Sequence, residues 1–174
     1  MKDQKKNNKG FSLVELIVVV AIMAVLLGVL VPTLVRNVEK SKKQKDINNL
    51  SEVRNAIQLA MATEEFAGVE GTITITGKGF EITTSGTVTH ENDNLALVGG
   101  STTLVKADFW KEVLENLNAS ADFKFDFTSK LADDSTKIVF VLGDEKVSGF
   151  IDPAGSKYGS DPDIQLQDQV ATTH

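Results

Sequence analysis

The sequence predicts an α+β protein in which a long N-terminal α-helix packs against a small antiparallel β-sheet head. Three observations carry this expectation. Residues 11–35, FSLVELIVVVAIMAVLLGVLVPTLV, are an apolar run with Glu15 as their single charge. Apolar residues then recur every three or four positions at Ile47, Leu50, Val53, Ile57, Ala60 and Met61, the spacing of one helical face. From Gly71 the period changes to two, in TITIT at 72–76, FEIT at 80–83, TVTH at 87–90 and LALV at 95–98, with glycines between them.

Residues 1–10 form a basic leader in which Lys2, Lys5, Lys6 and Lys9 against Asp3 give +3, leaving −9 of the chain's −6 on the other residues. An acidic body lacks the clustered lysine and arginine that release counterions from phosphate backbones, so nucleic acid is not an expected partner. The absence of cysteine excludes a disulfide framework and a thiolate metal site. The 11–35 run would rise roughly 37 Å as a helix, enough to cross a bilayer core with some tilt. It is longer than the apolar part of a secretory signal and no small-x-small cleavage site follows closely, so a retained transmembrane helix is expected. Arg36, Lys40, Lys42, Lys43 and Lys45 beyond it rival the lysines of the leader. Flanking charge therefore leaves the orientation undecided.

Gly10, Phe11, Ser12, Leu13, Val14, Glu15 and Leu16 spell GFSLVEL at the junction. Gly10 leaves the backbone open to close approach by a protease. A carboxylate inside an apolar helix costs about 2.5 to 3.5 kcal/mol at the bilayer centre and less near its edge, so Glu15 calls for a partner. Cleavage before Phe11 would create an amine one helical turn away, on the same chain or on a neighbour. Across parallel helices the neighbour's amine would neutralise both charges and set the axial register. The competing reading has Glu15 at the membrane interface, snorkelling to headgroups. Farther along, the ring of Pro32 clashes with the carbonyl of Gly28, itself a weak helix former, so a kink or melted stretch is expected between them. A mechanical role in fibre extension and a plain kink both stay open.

GFSLVEL behind a short lysine-rich leader closely resembles the type IV pilin (prepilin) family and its pseudopilin relatives, over about the first 60 residues; the cysteine-free head resembles pilins of Gram-positive bacteria. The resemblance implies cleavage after Gly10 by prepilin peptidase, N-methylation of Phe11, and Glu15 as the subunit-assembly carboxylate. Family members share a proline at the relative position of Pro32. The implied function is that of a structural subunit of a type IV pilus, supporting adhesion, aggregation or surface motility. The implied partners are further copies in a helical filament, prepilin peptidase, the assembly ATPase and membrane platform protein, and minor pilins. The implied location is the cytoplasmic membrane before assembly, with the leader cytoplasmic, and a cell-surface pilus afterwards. Two alternatives share these features: a pseudopilin of a type II secretion or competence system, and an uncleaved membrane-anchored binding module.

The amphipathic helix is expected to continue over 36–67, with Arg54, Gln58 and Glu64 on its polar face and no breaker before Gly68. The basic run from Arg36 to Lys45 is expected to oppose acidic head residues of a neighbouring subunit, with anionic lipid or DNA as the alternatives. The head is assigned to 68–152. Asp108 is expected to cap a short helix near 108–118 whose apolar face holds Phe109, Val113, Leu114 and Leu117, with Trp110 beside it. Strands are expected in FKFDFT from Phe123, KIVFVLG from Lys137 and KVSGFID from Lys146, with a polar turn at Asp133 and Asp134. Residues 153–174 read as a loop or tail without core residues.

His90 and His174 are far apart and the carboxylates are scattered, so neither catalysis, nor a metal, nor a cofactor is expected. The pairs Asp133 and Asp134, Asp144 and Glu145, and Asp161 and Asp163 read as turn residues rather than calcium ligands. Asn49 and Asn118 stand in sequons that match often by chance, and glycosylation is not expected at either.

Overall fold

A computed structural model describes residues 11–93, 95–97, 105–143, 146–152 and 165–166. The elements are α1 (Leu13–Met61), β1 (Val69–Thr76), β2 (Gly79–Ile82), β3 (Glu91–Asp93), β4 (Ala96–Leu97), α2 (Lys106–Asn116), β5 (Phe123–Asp126), β6 (Lys137–Gly143), β7 (Lys146–Asp152) and β8 (Gln165–Leu166). The α+β expectation is met. The chain divides into two compact units, 1–40 and 41–174, and α1 contributes to both.

In the second unit the helical stripe is buried as its period requires. Leu50, Val53, Ala56, Ile57, Ala60 and Met61 join one core with residues of the sheet and of α2. Gln58, expected on the polar face, is instead half-buried, and its Oε1 accepts the Val147 N–H at 2.7 Å. The helix stops at Met61, short of the expected Ala67. Its last turn tightens through the Ala62 N–H to the Leu59 carbonyl and the Thr63 N–H to the Ala60 carbonyl, and the Thr63 hydroxyl also donates to Ala60 at 2.8 Å. These bonds satisfy terminal carbonyls that further helical turns would otherwise have taken.

The main sheet has the order β3-β1-β6-β7-β8, with β4 also pairing β1, and every pairing is antiparallel. Register places Ile73 opposite Phe140, Ile75 opposite Ile138, and Leu142 opposite Val147. All six are buried, so the period-two pattern turns one face of the sheet into the core. A second sheet pairs β2 with β5, setting Phe80 opposite Phe125 with ring centroids 5.4 Å apart. Gly79 is required there, because a Cβ would run into the Phe125 carbonyl.

Several boundaries differ from the sequence reading. TVTH at 87–90 forms no strand beyond a single bridge between Val88 and Ile82. Instead, the Thr83 hydroxyl bonds Ser85 Oγ at 2.7 Å and accepts the Thr87 N–H at 3.1 Å, and Gly86 takes φ 79° to close the turn. The following Glu91–Asp93 supplies β3, which the pattern does not announce. Asp108 is not the cap of α2. The helix starts at Lys106 after Val105, which makes no side-chain cap, and Asp108 sits in the first turn bonded to Lys111 at 2.9 Å. Trp110 is buried, and its Nε1 donates to Glu91 Oε1 at 3.0 Å. Within the expected tail, Gln165 and Leu166 pair with Phe150 and Gly149 as an edge strand. The other residues of 153–174 lie outside the described ones, as do Asp144 and Glu145.

Candidate assembly site

The candidate site begins at the start of α1. Gly10 lies outside the described residues, and Phe11 is 93% exposed. Leu13 opens the helix, which makes Ser12 its N-cap and Glu15 its third residue. The Ser12 hydroxyl accepts the Val14 N–H at 3.3 Å, and Glu15 Oε2 accepts the Ser12 N–H at 2.9 Å. This reciprocal pair is a capping box, signalled by the spacing S-x-x-E, and sequence reasoning centred on a partner for Glu15 passed over it. Its effect is chemical as well as structural. The carboxylate is held at the positive end of the helix dipole with one lone pair used, leaving the others open to a further donor.

From Leu16 to Pro32 the helix offers no polar side chain. Its most apolar 18-residue window has a mean hydropathy of 3.1 and none of it is buried, so α1 is long and apolar enough to cross a membrane. Large residues such as Leu13, Val25 and Val29 are exposed on all sides of the helix. A surface of this kind needs lipid or other protein against it.

Gly28 and Pro32 fall within this stretch. In the single chain α1 continues through both, so the stretch between them is helical rather than melted. Pro32 has no N–H to give the Gly28 carbonyl, but the turns on either side keep their bonds, and the Thr33 hydroxyl donates to the Val29 carbonyl at 3.4 Å. Gly28 faces open space, since nothing lies within 4 Å of where its Cβ would stand. It is thus a conformational weak point rather than a packing requirement.

A second polar feature, in the other unit, escaped the sequence reading. Asp46 is fully buried, and its carboxylate accepts the Thr128 N–H at 2.9 Å, the Thr128 hydroxyl at 2.8 Å and the Ser129 N–H at 2.9 Å. Three donors from a loop thereby find an acceptor on the helix, which is how a buried carboxylate is tolerated. A signal existed. Asp46 stands four residues before Leu50 and seven before Val53, so it occupies a position of the apolar stripe. Among the described residues no group of three or more histidine, aspartate and glutamate side chains gathers as a metal site would require.

Comparison with known proteins matches residues 5–31 to the prokaryotic N-terminal methylation motif. The chain is 36% identical over 56 residues to the type II secretion system core protein G of Aeromonas hydrophila, covering 32% of this chain and 39% of that one. It is 39% identical over 51 residues to the protein of the same name from Escherichia coli (strain K12), covering 29% and 35%. It is 31% identical over 83 residues to the prepilin peptidase-dependent protein A of Clostridium perfringens (strain 13 / Type A), covering 47% and 59%. The chain thus spans between 35% and 59% of the length of these curated relatives. No solved structure matches it. The prepilin-like motif and these likenesses make the N-terminal part of the chain pilin-like or pseudopilin-like.

Proposed function

We propose that this chain is a structural subunit of a type IV pilus, cut after Gly10 by prepilin peptidase, N-methylated on Phe11 and polymerised through α1. One observation carries the reading: Glu15 is the single charge of the apolar stretch 11–35, whose surface is exposed all round, one turn from the residue that cleavage makes the terminus. Before extraction the helix lies in the cytoplasmic membrane, with the leader cytoplasmic and the head outside. A cytoplasmic ATPase and a membrane platform protein supply the work of extraction, and minor pilins join the filament. In the filament Glu15 keeps its Ser12 N–H and accepts the Phe11 amine of an adjacent copy. Under tension the stretch between Gly28 and Pro32 gives way, because one backbone bond is already missing there.

Treatment with prepilin peptidase followed by mass spectrometry tests the first step, and a product beginning at Phe11 is expected. Glu15→Val should leave that cleavage intact while reducing filament yield by at least an order of magnitude, since an uncompensated amine then enters the bundle. Unchanged filament yield would remove Glu15 from the assembly role. A second reading, a pseudopilin of a type II secretion system, is favoured by the likeness to two type II secretion system core proteins G. Antibody to the head separates the two readings: labelling along the whole length of surface filaments supports the pilus, and absence of surface filaments with impaired secretion supports the pseudopilin.

A further inference from the structure

The chain's net charge of −6 divides unevenly: +3 in the leader, −1 at Glu15, +4 between Arg36 and Lys45, and −12 from Asp46 onward. The +4 segment holds Arg36, Lys40, Lys42, Lys43 and Lys45 against Glu39 alone. It starts at the residue directly after the apolar run that ends at Val35. Arg36, Lys40 and Lys45 are exposed, while Lys42 and Lys43 are half-buried.

Helical geometry decides what such a segment fits. At 3.6 residues per turn Arg36, Lys40 and Lys43 stack on one side, Lys45 falls opposite Arg36, and Lys42 lies between. The exposed charges Arg36, Lys40 and Lys45 therefore lie on opposite sides of the helix. A neighbouring copy would engage one side, whereas a bilayer surface surrounds a helix that crosses it. The axial spread agrees. From Arg36 to Lys40 the helix rises about 6 Å, comparable with the headgroup layer on one side of a bilayer. Lys45 is about 8 Å farther on, within a Debye length at physiological salt.

We propose that Arg36–Lys45 is a collar that binds the anionic lipid headgroups of the leaflet facing the head while the subunit waits in the membrane. The inference rests on the reading of α1 as membrane-inserted before assembly. It also answers a problem of charge, because the −12 body would otherwise be repelled from an anionic surface. The expectation that this run faces acidic residues of a neighbouring subunit gives way to lipid as its first partner.

The chain has no cysteine, so Ser41→Cys accepts a single nitroxide label within the collar. The full-length chain is placed in vesicles of phosphatidylcholine alone or mixed with phosphatidylglycerol. The ratio of immobilised to mobile label should rise with the anionic fraction and collapse at about 0.5 M salt, where the Debye length is a few ångströms. It should fall roughly fivefold for each charge removed across R36Q, R36Q/K40Q and R36Q/K40Q/K45Q. A ratio indifferent to phosphatidylglycerol overturns the proposal. So does one that follows the protein-to-lipid ratio at constant lipid charge, which would mark contact between copies. A label at Leu26→Cys tells the two levels apart. If Leu26 is oxygen-accessible and water-shielded while Ser41 ignores lipid charge, the collar alone fails; if Leu26 is wet, membrane insertion fails and the collar with it.

Discussion

Residues 13–40 and 41–61 of α1 are one element of secondary structure solved for two different surroundings. In the first stretch apolar side chains point outward on every side and none of the most apolar window is buried. In the second, a single stripe is buried while Glu52 and Lys45, among others, stay polar on the outside. Backbone hydrogen bonding is helical in both, save the bond that Pro32 cannot give to Gly28. The difference lies in where each side chain finds its solvent: one stretch needs lipid or other helices, and the other brings its own sheet. Stability should therefore be concentrated in the second unit and assembly in the first.

The strongest way to break that division is to truncate one large residue on each side of it. Phe140→Ala, in the middle of β6 and fully buried, should cost the head about 3 to 5 kcal/mol by loss of transfer energy and by the cavity left behind. Leu26→Ala, exposed on α1, should leave the head's denaturation midpoint unchanged. A comparable loss from Leu26→Ala would show that the first stretch also stabilises the head. Asp46→Ala comes next, with an expected cost of about 2 to 4 kcal/mol in chemical denaturation, because the Thr128 and Ser129 donors would be left without their acceptor. Asn at the same position keeps one acceptor oxygen and should recover part of the loss. Ser12→Ala removes half of the capping box. It should weaken the first turn of α1 by about 1 kcal/mol, seen as faster amide exchange over residues 13–16, with the head unaffected. The smallest effect concerns the turn before β6. The Ser135 hydroxyl and then its N–H bond the Asp133 carboxylate and hold its pKa below the ordinary 3.8. A depressed carboxylate adds stability above the ordinary value and loses it as pH falls through the folded value. Ser135→Ala should raise the Asp133 titration midpoint toward 3.8, measured by carboxyl NMR.

The two periodicities account for what could be read in the sequence. A spacing of three or four located the buried stripe of α1, and alternation located β1, β6 and β7 to within a few residues. What escaped depends on contacts between distant residues. Thr128 meets Asp46 from far along the chain, so a carboxylate at a stripe position looked like one more charge in a lysine-rich run. TVTH alternates as a strand does, yet the Thr87 hydroxyl bonds Ser85 within the turn and the Thr89 hydroxyl takes up the Glu81 N–H. The edge strand at Gln165–Leu166 carries no local pattern, because β7 supplies the partner for its backbone. At the candidate site the reverse holds: GFSLVEL and the capping spacing are local, and the partner that Glu15 awaits belongs to another molecule.

The strand order also sets a timetable for synthesis. β1 sits between β3 and β6, and Ile73 is paired with Phe140, 67 residues later. At 5 to 20 residues per second the ribosome needs about 3 to 13 s to cover that distance. Throughout that interval TITIT has no partner on the β6 side, and the head cannot close. A chain handed across a membrane as it is made would therefore present an open polypeptide rather than a finished sheet, with no folded head to unravel on the way.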